Sequence, residues 1–94
     1  MQIQLSAERS YADVMTQNYD KITMFGADWC GDCRRAKTLL DTAKIDYDYI
    51  DLVQHEDEAK TAEAISGRKN IPVIVFPDGS FLVEPSNDEL VAKL

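Results

Sequence analysis

Two cysteines, Cys30 and Cys33, stand two residues apart with Gly31 and Asp32 between them, and a run of helix formers follows. This spacing lets one thiol attack a disulfide and the other resolve the mixed disulfide that results. At a helix N-terminus, unpaired backbone N–H groups and the helix dipole stabilise a thiolate. Cys30 is therefore expected to attack and Cys33, one turn inside, to resolve. A bridge between them closes too short a loop to staple a fold, which points to exchange chemistry. Zinc requires about four ligands. Two cysteines and one distant histidine, His55, do not supply them, so no metal is expected. His55 itself reads as an exposed loop residue without a role.

The neighbours of the pair pull in opposite directions. Asp28 and Asp32 place negative charge near a thiolate on Cys30, whereas Arg34, Arg35 and Lys37 place positive charge there. Together with the helix effect, the balance is expected to favour the thiolate modestly. Trp29 has two readings, a surface that covers the site or docks a partner, and an ordinary half-buried packing residue.

The elements that must position these groups follow from periodicity. Lys21 to Phe25 (KITMF) predicts a strand, Gly26 to Asp28 breaks it, and Arg34 to Ala43 predicts a helix whose core face is Ala36, Leu39, Leu40 and Ala43. Asp46 to Val53 predicts a second strand, parallel to the first because a helix separates them. A helix over Glu56 to Ile65 follows, with acids in its first turn and Gly67 as its stop. Ile71 to Phe76 and Ser80 to Val83 then form a hairpin about Pro77-Asp78-Gly79, and a last helix runs from Ser86 to Leu94, capped by Ser86 or Asn87 with Glu89 near its third position.

The order β-α-β-α-β-β-α, with a cysteine pair in the first strand-to-helix loop, predicts an α/β thioredoxin-like fold: a mixed sheet of four strands flanked by helices. Gln2 to Leu5 as a further strand would make five, with Ala7 to about Gln17 as a helix burying Tyr11, Val14 and Met15. Residues 1–94 are read as one domain, since 94 residues do not supply two cores. Pro72 opens what otherwise looks like an inner strand, a place where proline is confined to the first residue or an edge.

Composition narrows the function classes. Seventeen Asp and Glu against ten Lys and Arg give a net charge of -7. Such a charge repels phosphate backbones and anionic membrane surfaces, so neither nucleic acid nor membrane is an expected partner. The opening residues lack the basic start and long apolar run of a secretory signal, and a cytoplasmic location is expected.

From Lys21 to Leu94 the chain resembles the glutaredoxins, and among them the mycoredoxins and related actinobacterial proteins. The resemblance is carried by Ala27 to Lys37 (ADWCGDCRRAK), Tyr47 to Leu52, Gly67 to Val73 (GRKNIPV), Phe76 to Ser80 and Glu84 to Ser86. It implies that Cys30 is the nucleophile, Cys33 the resolving cysteine, and Ile71-Pro72 a cis-proline segment whose backbone pairs with a thiol cofactor. It also implies that Lys69 and Arg34 meet a carboxylate of that thiol, and that Ser86, Asn87 and Asp88 form a further contact region. Trp29 joins these as a candidate binding residue. Classical members carry Pro and an aromatic residue between the cysteines and a glycine pair before the last helix. Here Gly31-Asp32 and Glu84-Pro85 stand in those places.

These readings make the chain a thiol-disulfide oxidoreductase, expected as a monomer, acting on disulfide-containing or S-thiolated proteins or on small disulfides. The reductant would be mycothiol or glutathione. Three alternatives stand beside it. One is a thioredoxin-like electron donor fed by thioredoxin reductase. Another is an iron-sulfur carrier in which two chains share a cluster. The third is an interaction module with vestigial cysteines.

Overall fold

The computed structural model describes residues 20–94. The strand and helix expected over residues 2–5 and 7–17 lie outside the described residues. Ile22–Gly26 forms β1, and all five of its residues are buried. A strand covered on both faces has no solvent side to fill with polar residues, which is why ITMFG has Thr23 as its one polar side chain.

β2 (Tyr47–Asp51) pairs parallel with β1, in register from Ile22 opposite Tyr47 to Gly26 opposite Asp51. On the other side of β1 lies β3 (Val73–Val75), antiparallel, and β4 (Phe81–Val83) completes the hairpin as an edge. The sheet order is β2-β1-β3-β4. In the hairpin loop the amide of Gly79 donates to the carbonyl of Phe76 at 2.8 Å, with Pro77 and Asp78 between them and Gly79 at φ +89°. That positive φ is one a glycine adopts without strain.

Among the described residues three helices cover the sheet: α1 (Gly31–Thr42), α2 (Glu58–Ser66) and α3 (Asn87–Lys93). On one face, Met24 and Ile74 pack with Ala36 and Leu40 of α1 and Leu90 of α3. On the other, Phe25, Val73 and Val75 pack with Ala62 of α2. Fully burying a side chain of this size contributes roughly 1.5–3 kcal/mol.

The element order matches the expectation, but several boundaries differ. α1 starts at Gly31 rather than Arg34, because Cys30 caps it. α2 starts at Glu58 rather than Glu56, because the residues before it close tighter turns, with the amides of Glu58 and Ala59 donating to the His55 and Glu56 carbonyls at 2.9 and 3.1 Å. β3 keeps three residues of the expected six, as Pro72 has no N–H for a ladder. For α3 the cap is Ser86: its hydroxyl accepts from the Glu89 amide at 3.1 Å, and the Glu89 carboxylate accepts from the Ser86 amide at 2.8 Å.

α1 ends in a Schellman arrangement that needs a left-handed residue. Lys44 donates its amide to the Asp41 carbonyl at 3.0 Å and Ile45 to the Leu40 carbonyl at 2.9 Å, while Lys44 itself holds φ +59°. Ile45 then packs on the cluster that contains Leu40. Glycine is the usual residue at such a position, so Lys44→Gly is expected to raise stability by about 0.5–1 kcal/mol. A higher urea midpoint at unchanged m-value checks this, and a lower midpoint contradicts it.

Candidate active site

β1 ends at Gly26, and the next four residues turn the chain into α1: the amide of Cys30 donates to the carbonyl of Ala27 at 3.1 Å, and Arg34 to Cys30 at 3.1 Å. Cys30 occupies the N-cap of α1 with extended backbone, φ -86° and ψ 118°. Its Sγ accepts from the Cys33 amide at 3.3 Å, the bond that a serine or aspartate oxygen makes in an ordinary cap. The attacking thiol of the expected mechanism is thus held by a backbone donor at the positive end of a helix.

The two sulfurs sit in opposite surroundings. Cys30 is half-buried, whereas Cys33 has 0% of its surface exposed. Burial pushes the Cys33 thiol up to about 12 from an ordinary value near 9; the Cys30 sulfur beside it adds to the rise and the Ala27 backbone opposes it. Room for this sulfur comes from Gly26. A Cβ there would lie 2.8 Å from Cys33 Sγ and 3.2 Å from its Cβ, so a larger residue would force α1 away from the sheet.

Across the site, Ile71 and Pro72 are joined by a cis peptide bond, Pro72 is fully buried, and the Ile71 carbonyl lies 3.9 Å from Cys30 Sγ in a long S–H···O contact. Beside Ile71, a groove of about 380 Å³ runs between α2 and the segment before Pro72, with Lys60, Arg68 and Lys69 among its walls. A larger groove of about 770 Å³ lies between α1 and α3 and includes neither cysteine.

A family model described as Glutaredoxin matches residues 22–82. The chain belongs to the glutaredoxin family. It is 38% identical over 74 residues to a Mycobacterium tuberculosis protein assigned by name to the glutaredoxins, covering 78% of this chain and 88% of that one. It is 30% identical over 74 residues to mycoredoxin 1 of Corynebacterium glutamicum, covering 78% and 91%. The crystal structure of a glutaredoxin from Archaeoglobus fulgidus superposes with a TM-score of 0.69 at 19% identity, over 89% of this chain and 94% of that one, which shows the thioredoxin-like fold. The chain is therefore a thiol-disulfide oxidoreductase of glutaredoxin type.

Within this glutaredoxin the residues singled out in the sequence fall into four places. Cys30, Cys33, Ile71 and Pro72 meet at the dithiol. Lys69 lies on the groove beside Ile71. Ser86, Asn87 and Asp88 start α3, where Ser86 is committed to the cap and Asn87 accepts from Arg35 at 2.8 Å. Arg34 donates to the Asp28 carbonyl at 2.8 Å, bracing the loop before the cysteines. Trp29 is 71% exposed, which corrects the half-buried packing reading. Among the described residues it has no side-chain hydrogen-bond partner and belongs to neither core cluster. Among the described residues no group of three or more His, Cys, Asp and Glu is placed to hold a metal ion, and no helix is long and apolar enough to cross a membrane.

Sequence reasoning missed two features. Gly26 reads only as a strand breaker, although its missing Cβ accommodates Cys33. Behind the dithiol, the Tyr49 hydroxyl donates to Asp28 at 3.3 Å, and Lys37 Nζ lies 3.9 Å from the centre of the Tyr49 ring and 3.8 Å from the same carboxylate. The alternation of Tyr47 and Tyr49 in β2 was the available signal, but it carries no information about which helix residues they reach. Burial, then the Asp28 charge, pushes the Tyr49 hydroxyl upward, so it remains a donor.

The Cys33 shift makes stability depend on pH. Its folded value lies above the unfolded one, so the unfolded chain loses the proton first. Stability is fully present below about 9 and falls as pH rises towards about 12. Tyr47, held at about 12 by burial and its bond to Asp41, adds to the fall only above its ordinary value near 10. The reduced protein is expected to lose stability between about pH 9 and 10 with a slope approaching 1.4 kcal/mol per pH unit more than Cys33→Ala shows. Equal slopes in urea titrations of the two proteins would contradict the assignment.

Proposed function

We propose that this glutaredoxin reduces mixed disulfides between small thiols and proteins, and small disulfides, through Cys30 and Cys33. The supporting observation is the difference between the sulfurs: one half-exposed at a helix N-cap, the other fully buried behind it. The Cys30 thiolate attacks a substrate sulfur, forming a new S–S bond and expelling the other sulfur as a thiolate that takes up a proton. Cys33 then loses its proton and attacks Cys30 Sγ, releasing the second thiol and leaving a Cys30–Cys33 disulfide. Two electrons pass from the pair to the substrate. Two molecules of a small thiol reset the pair and leave as their own disulfide.

Mycothiol is the reductant we propose, with glutathione as the competing one. This reading is supported by the groove beside Ile71, which has Lys69 in its wall, and by the Ile71 carbonyl 3.9 Å from the Cys30 sulfur. Trp29, next to Cys30 in the chain, stands exposed and is proposed to cover a bound thiol or to meet the protein that carries it. At α3, Ser86 and Glu89 are used by the cap and Asn87 holds Arg35, which leaves Asp88 as the acid of that turn to meet a thiol. The partners are S-thiolated or disulfide-containing proteins. Arg34, like Lys69, is proposed to meet a carboxylate of the small thiol; its guanidinium also donates to the Asp28 carbonyl.

Cys30→Ser is expected to abolish reduction of an S-thiolated protein, a loss of at least about a thousandfold. Cys33→Ser should keep a monothiol activity in which a second small thiol resolves the mixed disulfide. The oxidised protein is expected to be reduced by mycothiol in a thiol count, faster than by glutathione. Reduction only by thioredoxin reductase would instead make the chain a thioredoxin-like donor, and activity surviving in Cys30→Ser would remove Cys30 from its role.

A further inference from the structure

Asp32 lies between the two cysteines in the first turn of α1, and a carboxylate near a thiolate disfavours the thiolate. Its Oδ1 is 3.0 Å from Nη2 of Arg35. Nη1 of the same guanidinium donates to Oδ1 of Asn87 at 2.8 Å and to the Pro85 carbonyl at 3.3 Å. One planar cation therefore engages the cysteine turn and the start of α3 together, through a fork that a single-point charge does not offer. The other nearby cations are occupied elsewhere: Arg34 on the Asp28 carbonyl, Lys37 on the Asp28 carboxylate and the Tyr49 ring.

We propose that Arg35 is a positioning residue of the dithiol site: anchored on Pro85 and Asn87, it holds the Asp32 carboxylate along α1 and cancels its charge, so that an acid between the cysteines does not suppress the Cys30 thiolate. The proposal rests on Cys30 being the attacking thiol. The anchor lies outside α1, at the turn that begins α3, so the guanidinium is tied to more than the cysteine turn it faces.

The test is alkylation of the reduced protein by iodoacetamide, which is uncharged, at neutral pH with the labelled cysteine located by mass spectrometry. Arg35→Gln is expected to slow labelling of Cys30 about threefold at an ionic strength of about 0.01 M, with most of the difference gone at about 0.5 M. Asp32→Asn, which leaves the Arg35 charge unopposed, should speed labelling about threefold. The double variant should return to the wild-type rate, although its Pro85 and Asn87 contacts are still lost, and Arg35→Lys, which keeps the charge without the fork, should label at a rate between wild type and Arg35→Gln. A purely structural role for Arg35 would leave the double variant as slow as Arg35→Gln and would overturn the proposal. Unchanged labelling in Asp32→Asn would do the same without requiring Arg35→Gln to fold. Label found on Cys33 in the wild-type protein would instead overturn the choice of attacking thiol.

Discussion

Cys33 is a polar group buried in the core, and its placement dictates the arrangement around it. The sulfur fills space that only a glycine at the end of β1 leaves open, so α1 approaches the sheet more closely there than a side chain at Gly26 would permit. With Cys33 fixed against the sheet, Cys30 must fall one turn earlier, at the point where the chain enters the helix. That point is the boundary between core and solvent, and its backbone donors are unpaired. The different surroundings of the two thiols therefore need no separate device: packing one against β1 puts the other at the cap. The same burial favours the protonated form of the Cys33 thiol, which in the proposed cycle would leave Cys30 to react first.

Around this pair the charges are distributed locally. The chain carries -7 overall, yet both acids nearest the cysteines face a cation: Asp28 meets Lys37, and Asp32 meets Arg35. Exposed pairs of this kind contribute little to stability, typically about 0–1 kcal/mol. In the arrangement we propose, Arg35 acts through the potential at the Cys30 sulfur and not through stability. The acidic remainder of the surface acts at longer range and favours approach of partners with a basic face.

The order of elements was legible because each strand and helix carries its own period and its own stop. β1 reads from a short apolar run, α1 from Ala36 and Leu40 at helical spacing, α2 from its Gly67 stop at φ +78°, and the hairpin from Pro77-Asp78-Gly79. Cys30 and Cys33 were legible for the same reason, since their relation is local. Long-range juxtapositions were not. The approach of Ile71 to Cys30 spans 41 residues and that of Arg35 to Pro85 spans 50, and no local pattern encodes either. The resemblance supplied the first through the cis-proline segment. The second stayed hidden because Arg35 looks, in sequence, like one more cation on a solvated helix face. Gly26 was visible but assigned the wrong reason, since a missing Cβ is informative only when the atom that takes its place is known.

The departures from the classical glutaredoxin pattern show which features of the fold are carried by backbone and which by side chains. Where the classical pattern has a glycine pair before the last helix, this chain has Glu84-Pro85, and Glu84 still holds the left-handed φ of +48°. Its amide donates to the Pro72 carbonyl at 2.9 Å, and its carboxylate accepts from Asn70 at 2.9 Å. The backbone course next to the cis-proline segment is thus kept without glycine, held by bonds from both the main chain and the side chain. Pro85 then presents the carbonyl on which Arg35 anchors, the same arginine that faces Asp32. The two unusual dipeptides, Gly31-Asp32 and Glu84-Pro85, consequently meet through one guanidinium, so a substitution in either is felt at the other. An acid between the cysteines is tolerable in this glutaredoxin to the extent that the turn before α3 holds its counter-charge in place.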